Sequence, residues 1–579
     1  MSPRGRPSQS AATLAVDTVE SRLAALRDRA KLLHQQRRFA ESLDAHEEAL
    51  RLAPESMVIR LSAARLAHSL ERQEVSLRHY EEAARVDPRC YEAVEAARRI
   101  CVGAGFAERA LKYASMAQLL AASPMAQLST QLLVPSIMPS LDAIREARKC
   151  YERGLDAVLA EPPHLESPDG SLGVSAFFLA YHGLNDRELQ VKTARMFLAA
   201  IPGLTFTAPH CAGARRRGAK IRIGFLSRFF ASHSIFSTSV GLIEKLSRER
   251  FEVLALRVTP SRDDQATARI RAAADRTVDL DPDVYRARAQ IAALELDILF
   301  YQDIGMEPIS YFLAFARLAP VQCVSFGHPN TTGIPTIDYF ISNDLFEPPQ
   351  PHAHYSERLV LLRNLPTLAY YYKPQLPALP PARAMFKLPE ESHLYVCPQT
   401  LFKLHPDFDA LLAGILGSDP DGLVILIAGQ FQEFTDRLRA RFVRTLRAHM
   451  DRIVFLPFMG FERFMQLLCV ADVILDTVHF NGMNSSLQAF AVGTPVVTLP
   501  GEFQRGRHTQ AMYRKMGILD CIAADSRQYV DIAVRIANDP AYAQMLRQRI
   551  AARNHVLFED RGVIDEFERF FVEALGDAR

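Results

Sequence analysis

The sequence contains no tryptophan and only eight cysteines among its 579 residues. The cysteines are scattered, with no CxxC pair and no zinc-like spacing, so neither a disulfide framework nor a structural zinc site is expected. The 68 Lys and Arg residues nearly balance the 66 Asp and Glu residues, which leaves a net charge of +2. Such a balance provides no overall field to attract nucleic acid or an anionic membrane. We therefore expect free thiols, a reducing compartment and no nucleic-acid partner.

Long apolar segments are also missing. No run of about 18 apolar residues is present, so no membrane span is expected. The first residues, MSPRGRPSQSAATLAV, have no apolar stretch of signal-peptide length. These absences predict a cytoplasmic protein, with residues 1–18 as a disordered tail. Hydrophobic residues make up 49% of the chain and charged residues 23%, which indicates a globular protein of three or four domains at this length.

The first quarter of the chain carries an internal repeat. Ala49, Ala83 and Ala117 are spaced by 34 residues, and Pro54 and Pro88 have the same spacing. This period, with a small residue ahead of a closing proline, resembles the tetratricopeptide repeat. Ala lets the two helices of each hairpin approach closely, and Pro ends the second helix. We predict tetratricopeptide repeats over residues 19–124 and a helical linker region over 125–218; a generic Ala-rich helical bundle is the alternative.

From residue 219 onward, short apolar runs alternate with helix-like segments. One series comprises IRIGFLS, FEVLALRV, DILFY, PVQCVSF and IDYFIS, and a second comprises HLYVCP, GLVILIAG, RIVFLP, DVILD and PVVTLP. This alternation is typical of parallel sheets covered by helices. We predict two Rossmann-like α/β domains, residues 219–385 and 386–579, that face a cleft where ligands bind. Neither series begins with GxGxxG or a Walker A loop, which argues against a dehydrogenase and a P-loop NTPase.

The strand DVILD leads into TVHFNGMNSSLQ. Gly482 is expected to allow a sharp turn of the backbone, after which Asn484, Ser485 and Ser486 begin a helix. Unpaired helix N–H groups together with hydroxyls form an anion site suited to a diphosphate. Ordinary helix capping by Asn or Ser is the alternative explanation for the same residues.

Other polar residues follow strands at the same predicted edge of the cleft. Lys403 comes shortly after HLYVCP, where its charge can neutralise a departing diphosphate. His233 follows IRIGFLS, the first strand of the first domain, and the loop FGHPNTTGIP follows another strand of that domain. A histidine in this position is either structural or able to act on an acceptor.

These segments together resemble the family-41 glycosyltransferases, which comprise the protein O-linked N-acetylglucosamine transferases, plant SPINDLY and their bacterial relatives. The matching stretches are KIRIGFLSRFFASH, LAPVQCVSFGHPNTTGIPTIDYFIS, AHYSERLVLL, QTLFKLHP and ADVILDTVHFNGMNSSLQAFAVGTPVVTLPGE. Together with the repeats, the resemblance covers nearly the whole chain, and Arg505-Gly506-Arg507 favours the bacterial SPINDLY-type members. The resemblance implies a tetratricopeptide-repeat solenoid followed by a GT-B catalytic region. It also implies inverting transfer of N-acetylglucosamine or another hexose from a nucleotide-sugar to a protein side chain.

The resemblance also assigns roles to individual residues. Lys403 is similar to the lysine that contacts the donor diphosphate, and His233 to the histidine near the acceptor, where it orients or deprotonates the acceptor group. The predicted donor-binding residues are Gln399, Thr400, Lys403, Phe464, Asn481, Gly482, Asn484, Ser485, Ser486 and Gln488. The predicted acceptor-side loop consists of Gly327, His328 and Pro329.

Three positions depart from the animal enzymes of the family. Gln488 stands where those enzymes have an acidic residue that contacts the donor ribose. Phe461 and Phe464 stand where they have a lysine and a histidine in the base pocket, and Phe464 is expected to stack on uracil. A UDP-linked donor is the primary expectation, while the use of a GDP-sugar by SPINDLY leaves a GDP-linked donor open.

Neither a cofactor nor a metal is expected. The pair Asp279 and Asp281 has the Asp-x-Asp spacing found in metal-dependent glycosyltransferases, but it lies near the end of a weak strand beside Pro282, with no second group of ligands, and we interpret it as a turn. The predicted partners are a nucleotide-sugar and a polypeptide acceptor held by the repeats; a homo-oligomer stays open. The alternative functions are a GT-B enzyme acting on a glycan or lipid-linked acceptor and a non-catalytic repeat scaffold. The linkage, to Ser or Thr or to Asn, is also open.

Overall fold

The structure is a computed structural model that describes residues 9–121, 124–168, 175–212, 220–378 and 381–577. It divides into two compact units, Met1–Thr130 and Gln131–Arg579. Within the described residues, no helix combines the length and apolar character that crossing a membrane requires. Residues 1–8 of the predicted tail and the predicted domain boundary at 218/219 lie outside the described residues.

The first unit is built from helices. They are α1 (Gln9–Gln35), α2 (Phe39–Leu52), α3 (Met57–Ser69), α4 (Gln73–Val86), α5 (Tyr91–Gly103) and α6 (Ala107–Leu120), with α7 (Pro124–Gln131) at its end. The helix α1 begins at Gln9, so residues 9–18 are helical rather than part of a disordered tail. This stretch contains no Gly or Pro and is rich in Ala, which favours a helix.

The 34-residue period is visible in the helix boundaries. The helices α2, α4 and α6 begin at Phe39, Gln73 and Ala107, and α3 and α5 have the same offset. Each pair packs together, α1 with α2, α3 with α4 and α5 with α6. Ala49, Ala83 and Ala117 are at most 1% exposed, as expected where two helices approach closely. The predicted helical repeat region is therefore confirmed.

The second unit opens with helices that the sequence analysis assigned to a linker. They are α8 (Leu141–Ala160), a 3₁₀ segment (Ser175–Tyr181) and α9 (Arg187–Ala200). The helices α8 and α9 pack together, and the buried hydroxyls of Tyr151 and Thr193 lie 2.9 Å apart between them. This region is thus a folded part of the second unit.

The first sheet has seven parallel strands in the order β3-β2-β1-β4-β5-β6-β7. The strands are β1 (Ile221–Ser227), β2 (Phe251–Val258), β3 (Arg276–Leu280), β4 (Ile298–Tyr301), β5 (Val321–Val324), β6 (Tyr339–Asn343) and β7 (Arg358–Leu362). The connecting helices are α10 (Ser234–Lys245), α11 (Gln265–Ala273), α12 (Val284–Ala292) and α13 (Pro308–Leu313). The edge strand β7, which the sequence analysis did not identify as a strand, has two exposed residues among its five.

The second sheet has five parallel strands in the order β10-β9-β8-β11-β12. They are β8 (His393–Cys397), β9 (Gly422–Ile427), β10 (Ile453–Leu456), β11 (Val473–Leu475) and β12 (Val496–Val497). Its chain segment also contains α14 (Pro406–Ser418), α15 (Gln432–Thr445), α16 (Phe461–Val470), α17 (Asn484–Ala491), α18 (His508–Met516), α19 (Ser526–Asn538), α20 (Pro540–Arg553) and α21 (Arg561–Asp577). Two parallel α/β domains therefore follow the repeats, as predicted.

The last helix packs against the first sheet rather than the second. In α21, the rings of Phe567 and Phe571 lie 5.8 and 6.1 Å from the ring of Phe300 on β4. Burying each such ring contributes about 1.5–3 kcal/mol to the free energy of unfolding. The packing of α21 therefore stabilises the first domain. The boundary predicted at 385/386 assigns this helix to the second domain, because an amphipathic pattern does not specify which sheet receives the apolar face.

Candidate active site

Loops that follow strands of both sheets enclose a cavity of about 860 Å³. The first domain contributes residues 232–238 after β1, Met306 after β4 and residues 326–329 after β5. The second domain contributes residues 398–400, 402 and 403 after β8 and residues 480, 481, 483–485 and 488 after β11. Phe461 and His508 add to the second wall, and Phe177 and Tyr181 come from the 3₁₀ segment before the first sheet.

Lys403 provides a fixed cation in this cavity. Its Nζ donates hydrogen bonds to Gln399 Oε1 at 2.9 Å and to the carbonyl of Asn481 at 3.1 Å. The ammonium also lies 4.7 Å from the ring centre of Phe480. Burial lowers the pKa of Lys403 to about 8, and the carboxylate of Asp476 opposes that shift. Lys403 is therefore held in place by its neighbours before any anion arrives.

Asp476 fixes the loop that carries the second half of the site. It lies directly after β11 and is 1% exposed. Its Oδ1 accepts from the backbone N–H of Gly482 at 2.7 Å, and its Oδ2 accepts from Thr498 Oγ1 at 2.8 Å. Burial raises the pKa of Asp476 to about 6.

The helix α17 begins at Asn484 and directs its N-terminus at the cavity. Its first helical hydrogen bond runs from the N–H of Leu487 to the carbonyl of Met483 at 3.1 Å. The N–H groups of residues 484–486 therefore precede the first helical bond and are available to an anion. Ser485 Oγ accepts from Gln399 Nε2 at 2.7 Å, so one glutamine connects this helix start to Lys403.

Ser486, predicted as part of the phosphate-binding turn, points away from the cavity. It is 2% exposed, and its hydroxyl lies 2.8 Å from Thr509 Oγ1 and donates to the carbonyl of Gly482 at 3.2 Å. Its side chain has a packing role, because its hydroxyl is already satisfied by the neighbouring chain.

Gly482 is required by close approach rather than by a sharp turn. Its φ is not in the left-handed region. A Cβ at this position would lie 2.4 Å from both Gln399 Nε2 and Ser485 Oγ. Any other residue would therefore separate the glutamine from the helix start.

His233 lies on the opposite wall as the residue that caps α10. Its Nδ1 accepts from the N–H of Ile235 at 3.2 Å, and its ring stacks on Phe229 with centroids 4.3 Å apart. Burial, together with the charge of Arg262, lowers the pKa of His233 to about 4. Because Nδ1 is used as an acceptor, the neutral ring carries its proton on Nε2. His233 is thus a hydrogen-bond donor at neutral pH.

The predicted acceptor-side loop also lines the cavity. A Cβ on Gly327 would lie 1.8 Å from the carbonyl oxygen of Gln302, so only glycine fits where the loop after β5 meets the end of β4. His328 is 7% exposed and stacks on Phe177 with centroids 4.8 Å apart. Burial lowers its pKa to about 3, so the ring is neutral.

The aromatic residues before the first sheet were missed by the sequence analysis. Tyr181 stacks on Phe480 with centroids 4.5 Å apart and contacts Phe402 at 4.9 Å. Phe480 in turn lies against Lys403. The available signal was the run FFLAYHG, which places three aromatic residues within five positions of an otherwise helical region.

Arg505 holds this aromatic segment against the second domain. Its Nε donates to the carbonyl of Ala180 at 2.8 Å, and its terminal nitrogen donates to Leu184 O at 2.7 Å and Asp186 Oδ2 at 3.1 Å. Arg505 is 4% exposed. The RGR stretch therefore positions the cavity wall instead of lining it.

At the outer end of the second wall, the structure places Phe461 rather than Phe464 at the cavity. Phe461 is 56% exposed, whereas the half-buried Phe464 lies one helical turn further along α16. Gln488 lines the cavity on the same side. Phe464, Gly482 and Ser486 are thus the predicted site residues that do not line it. The predicted residues that do are His233, Gly327, His328, Pro329, Gln399, Thr400, Lys403, Asn481, Asn484, Ser485 and Gln488.

The Asp-x-Asp pair faces arginines. Asp279 lies within β3, not in a turn, and its Oδ1 accepts from Arg257 at 2.8 Å. Asp281 forms an ion pair with Arg286 at 3.0 Å. Both carboxylates are therefore neutralised within the first domain.

One other group of side chains has the composition of a metal site. His405, Asp407 and His479 bring their ligand atoms within 4.8 Å of one another. Asp407 Oδ2 lies 2.8 Å from His479 Nε2, and His405 Nδ1 accepts from the N–H of Asp407 at 3.2 Å. Hydrogen bonding explains this geometry, because His405 caps α14 and Asp407 orients His479.

Comparison with known proteins matches the family model "Glycosyl transferase family 41" to residues 192–369 and 374–564. The probable UDP-N-acetylglucosamine–peptide N-acetylglucosaminyltransferase SPINDLY of Arabidopsis thaliana is 30% identical over 241 residues, which are 40% of this chain and 25% of that protein. SEC, a protein of the same description from the same plant, is 25% identical over 377 residues, which are 63% of this chain and 38% of that protein. The matches thus span a quarter to two-fifths of these relatives.

The likeness extends to a solved structure. A mutant of the O-GlcNAc transferase of Thermobaculum terrenum superimposes with a TM-score of 0.67 and 23% identity, covering 97% of this chain and 98% of that one. This likeness establishes the GT-B fold with a helical N-terminal region. The family model covers more than half of the chain, in the two domains that form the cavity. The chain belongs to glycosyl transferase family 41.

Proposed function

We propose that the protein is an inverting glycosyltransferase that moves a sugar from a nucleotide-sugar to a protein side chain. The observation that carries the proposal is the cation and helix N-terminus at one wall of the cavity. Gln399 connects Lys403 to Ser485 at the start of α17. Family membership and the names of the relatives, SPINDLY and SEC, as probable peptide N-acetylglucosaminyltransferases support the same activity.

The wall that carries Lys403 and the start of α17 can stabilise the negative charge of the leaving group. As the bond between the sugar and the diphosphate breaks, negative charge develops on the departing nucleotide. The ammonium of Lys403, the hydroxyl of Ser485 and the free N–H groups of residues 484–486 are oriented in advance to stabilise that charge. A helix N-terminus adds a partial positive charge at the same place.

The acceptor half lies across the cavity, on loops of the first domain. An acceptor nucleophile held there attacks the sugar from the face opposite the departing diphosphate, which gives inversion: the bond between the sugar and the diphosphate breaks as the new bond forms, and the proton of the acceptor passes to the diphosphate or to solvent. We assign His233 to orientation through its Nε2–H, because a ring with a pKa of about 4 is a weak base at neutral pH. His328 and its stacked partner Phe177 complete that wall.

We further propose a UDP-linked donor and a cytoplasmic location. Phe461, exposed at the outer end of the cavity, offers a ring on which a base can stack. The names of the relatives SPINDLY and SEC include UDP-N-acetylglucosamine as the donor. All eight cysteines are free, which suits a reducing compartment.

The test combines purified full-length protein with a panel of UDP- and GDP-linked sugars, with and without candidate acceptor polypeptides. Release of the nucleoside diphosphate and the intact mass of the acceptor are measured together. A mass increase equal to one sugar, with matching diphosphate release, is expected for at least one UDP-sugar. Transfer only to free glycans or lipid-linked acceptors would show that the acceptor is not a protein. No turnover with any donor would indicate that the protein is a non-catalytic scaffold.

The pH dependence of the reaction is expected to report on Lys403. At subsaturating donor, kcat/KM should fall as the pH rises through about 8, because the free enzyme loses the ammonium that receives the diphosphate. At saturating donor, the fall in kcat should occur at higher pH, because the bound dianion stabilises the protonated amine. Initial rates from pH 6 to 10 check both, and a flat kcat/KM profile across pH 8 would contradict the role of Lys403.

Activity is expected to survive excess chelator. Lys403 and the N-terminus of α17 already supply positive charge to the diphosphate, and a divalent cation would need two or more hard oxygen ligands beside it. The measurement is turnover with chelator, then with magnesium or manganese restored. Loss of turnover that either metal rescues would contradict this mechanism and direct the search to His405, Asp407 and His479.

A further inference from the structure

The helical repeat unit has a groove of its own, with a volume of about 760 Å³. Residues from α2, α3, α4 and α6 line it. Its charged lining comprises five cations, Arg51, Arg60, Arg78, Arg85 and Lys112, against three carboxylates, Glu47, Glu81 and Glu82. The surplus is therefore positive, although the whole chain is nearly neutral.

Arg60 is a buried cation that lacks a carboxylate partner. It is 8% exposed, its terminal nitrogen donates to the carbonyl of Pro54, and its Nε has no hydrogen-bond partner. Burial lowers the pKa of Arg60; the charge of Glu82 opposes that shift, and the charges of Arg85 and Arg78 add to it. A guanidinium in this setting gains free energy when an anion enters the groove beside it.

The carboxylates of the groove are already engaged. Glu47 pairs with Arg78 at 2.8 Å, and Glu82 pairs with Arg85 at 2.6 Å. Glu81 pairs with Arg109 at 2.5 Å and also accepts from Tyr113. None of the three therefore neutralises Arg60 by a direct contact.

Two further cations line the groove, and the ammonium of one of them, Lys112, lies 5.1 Å from the ring centre of Tyr113. Arg51 and Lys112 are exposed, and neither forms an ion pair within the part of the chain that the structure describes. Both belong to the 34-residue repeat: Arg51 is equivalent to Arg85, and Arg78 is equivalent to Lys112. Cations thus recur 34 residues apart, at equivalent positions of successive repeats. They are therefore distributed along the groove.

We propose that this groove binds the carboxylate groups of an acidic polypeptide segment, with Arg60 as the buried anion site and Arg51 and Lys112 as its exposed contacts. The proposal rests on the proposed function and specifies its acceptor class: polypeptides that carry Asp- or Glu-rich segments. A peptide is favoured over a nucleic acid because its backbone N–H groups can donate to the remaining lone pairs of the groove carboxylates, whereas phosphate groups offer only acceptors.

The test uses the full-length protein and fluorescein-labelled 12-residue peptides in which Glu is present or replaced throughout by Gln. Anisotropy is expected to show binding of the Glu peptide about tenfold tighter than that of the Gln peptide, with the preference lost in high salt. The double variant Arg51→Gln/Lys112→Gln should weaken the Glu peptide about fivefold. The control Arg72→Gln/Arg89→Gln removes the same charge from exposed loop positions outside the groove and should change nothing.

Arg60→Met tests the buried cation directly. Thermal unfolding should match that of the parent, because the substitution removes an unpaired buried charge, while the preference for Glu over Gln disappears. Equal binding of the two peptides by the parent protein would overturn the proposal, as would displacement of the Glu peptide by single-stranded DNA at lower concentration than by unlabelled Glu peptide.

The outcomes separate this inference from the proposed function. Donor hydrolysis should be unchanged in the groove variants, because every residue that lines the donor cavity belongs to the second unit. If the parent binds the Glu peptide through Arg60 but turns over no nucleotide-sugar, only the proposed function fails. If turnover is present but peptide binding ignores charge, only the acceptor preference fails.

Discussion

Replacing Lys403 with Met is expected to lower the rate of sugar transfer by about a hundred- to a thousandfold. The substitution keeps the length of the side chain but removes the lysine ammonium that, among the described residues, lines the cavity. It also removes the donor to Gln399 and Asn481, so Gln399 loses one of the two contacts that hold it between Lys403 and Ser485. The loss should appear in kcat, because developing charge on the diphosphate is what the ammonium stabilises.

The matched control is Lys149→Met, which removes an exposed lysine from α8 in the same unit. Thermal unfolding should show that both variants fold, and only Lys403→Met should lose transfer. The alkaline fall in kcat/KM should also disappear from the residual activity of Lys403→Met. Wild-type turnover in this variant would show that the diphosphate binds elsewhere.

The sequence predicts most of the architecture because local patterns determine it. The 34-residue spacing of Ala49, Ala83 and Ala117 follows from the need for small side chains where helices meet, and the structure reproduces that period in its helix boundaries. The strand runs IRIGFLS and FEVLALRV coincide with β1 and β2 because a strand buried on both faces has to be continuously apolar.

What the sequence does not predict depends on contacts between distant segments. The sequence predicts that α21 has an apolar face, but not which sheet that face packs on. The helix packs on the first sheet because Phe567 and Phe571 fit against Phe300. Phe464 and Phe461 are indistinguishable in the pattern, and the orientation of α16 brings only Phe461 to the cavity. Gly482 is recognisable as a special position, yet the reason for it is the packing of Gln399 against Ser485.

The aromatic wall shows the same limit at the candidate site itself. Tyr181 lies more than 200 residues from Phe402 and Phe480 in the sequence, and no local pattern connects them. Their contact depends on Arg505, whose guanidinium donates hydrogen bonds to three residues of the segment 180–186. A positively charged residue in a run of RGR has the sequence signature of a surface loop, and only the fold shows it to be buried.

Replacing Arg505 with Leu is therefore expected to have the largest effect on stability. Among the described residues, the substitution leaves Asp186, which is 1% exposed, with Arg148 as its remaining ion-pair partner, and it removes the donors to the carbonyls of Ala180, which is buried, and Leu184. Removing one partner of a buried pair costs about 3–5 kcal/mol of the free energy of unfolding. Arg358→Leu is the matched control, because that arginine is 67% exposed in its pair with Asp577 and should cost less than about 1 kcal/mol.

Function should fall in Arg505→Leu even at temperatures where the variant stays folded. The segment that Arg505 holds carries Tyr181, which stacks on Phe480, and Phe480 lies against the ammonium of Lys403. Loosening this segment should weaken donor binding. The pH at which kcat/KM falls should stay the same, because the charge of Lys403 is retained. Urea unfolding and donor titration measure the two effects separately. If Arg505→Leu unfolded at the same urea concentration as the parent, Arg505 would be dispensable to the wall, and another contact would have to position Tyr181.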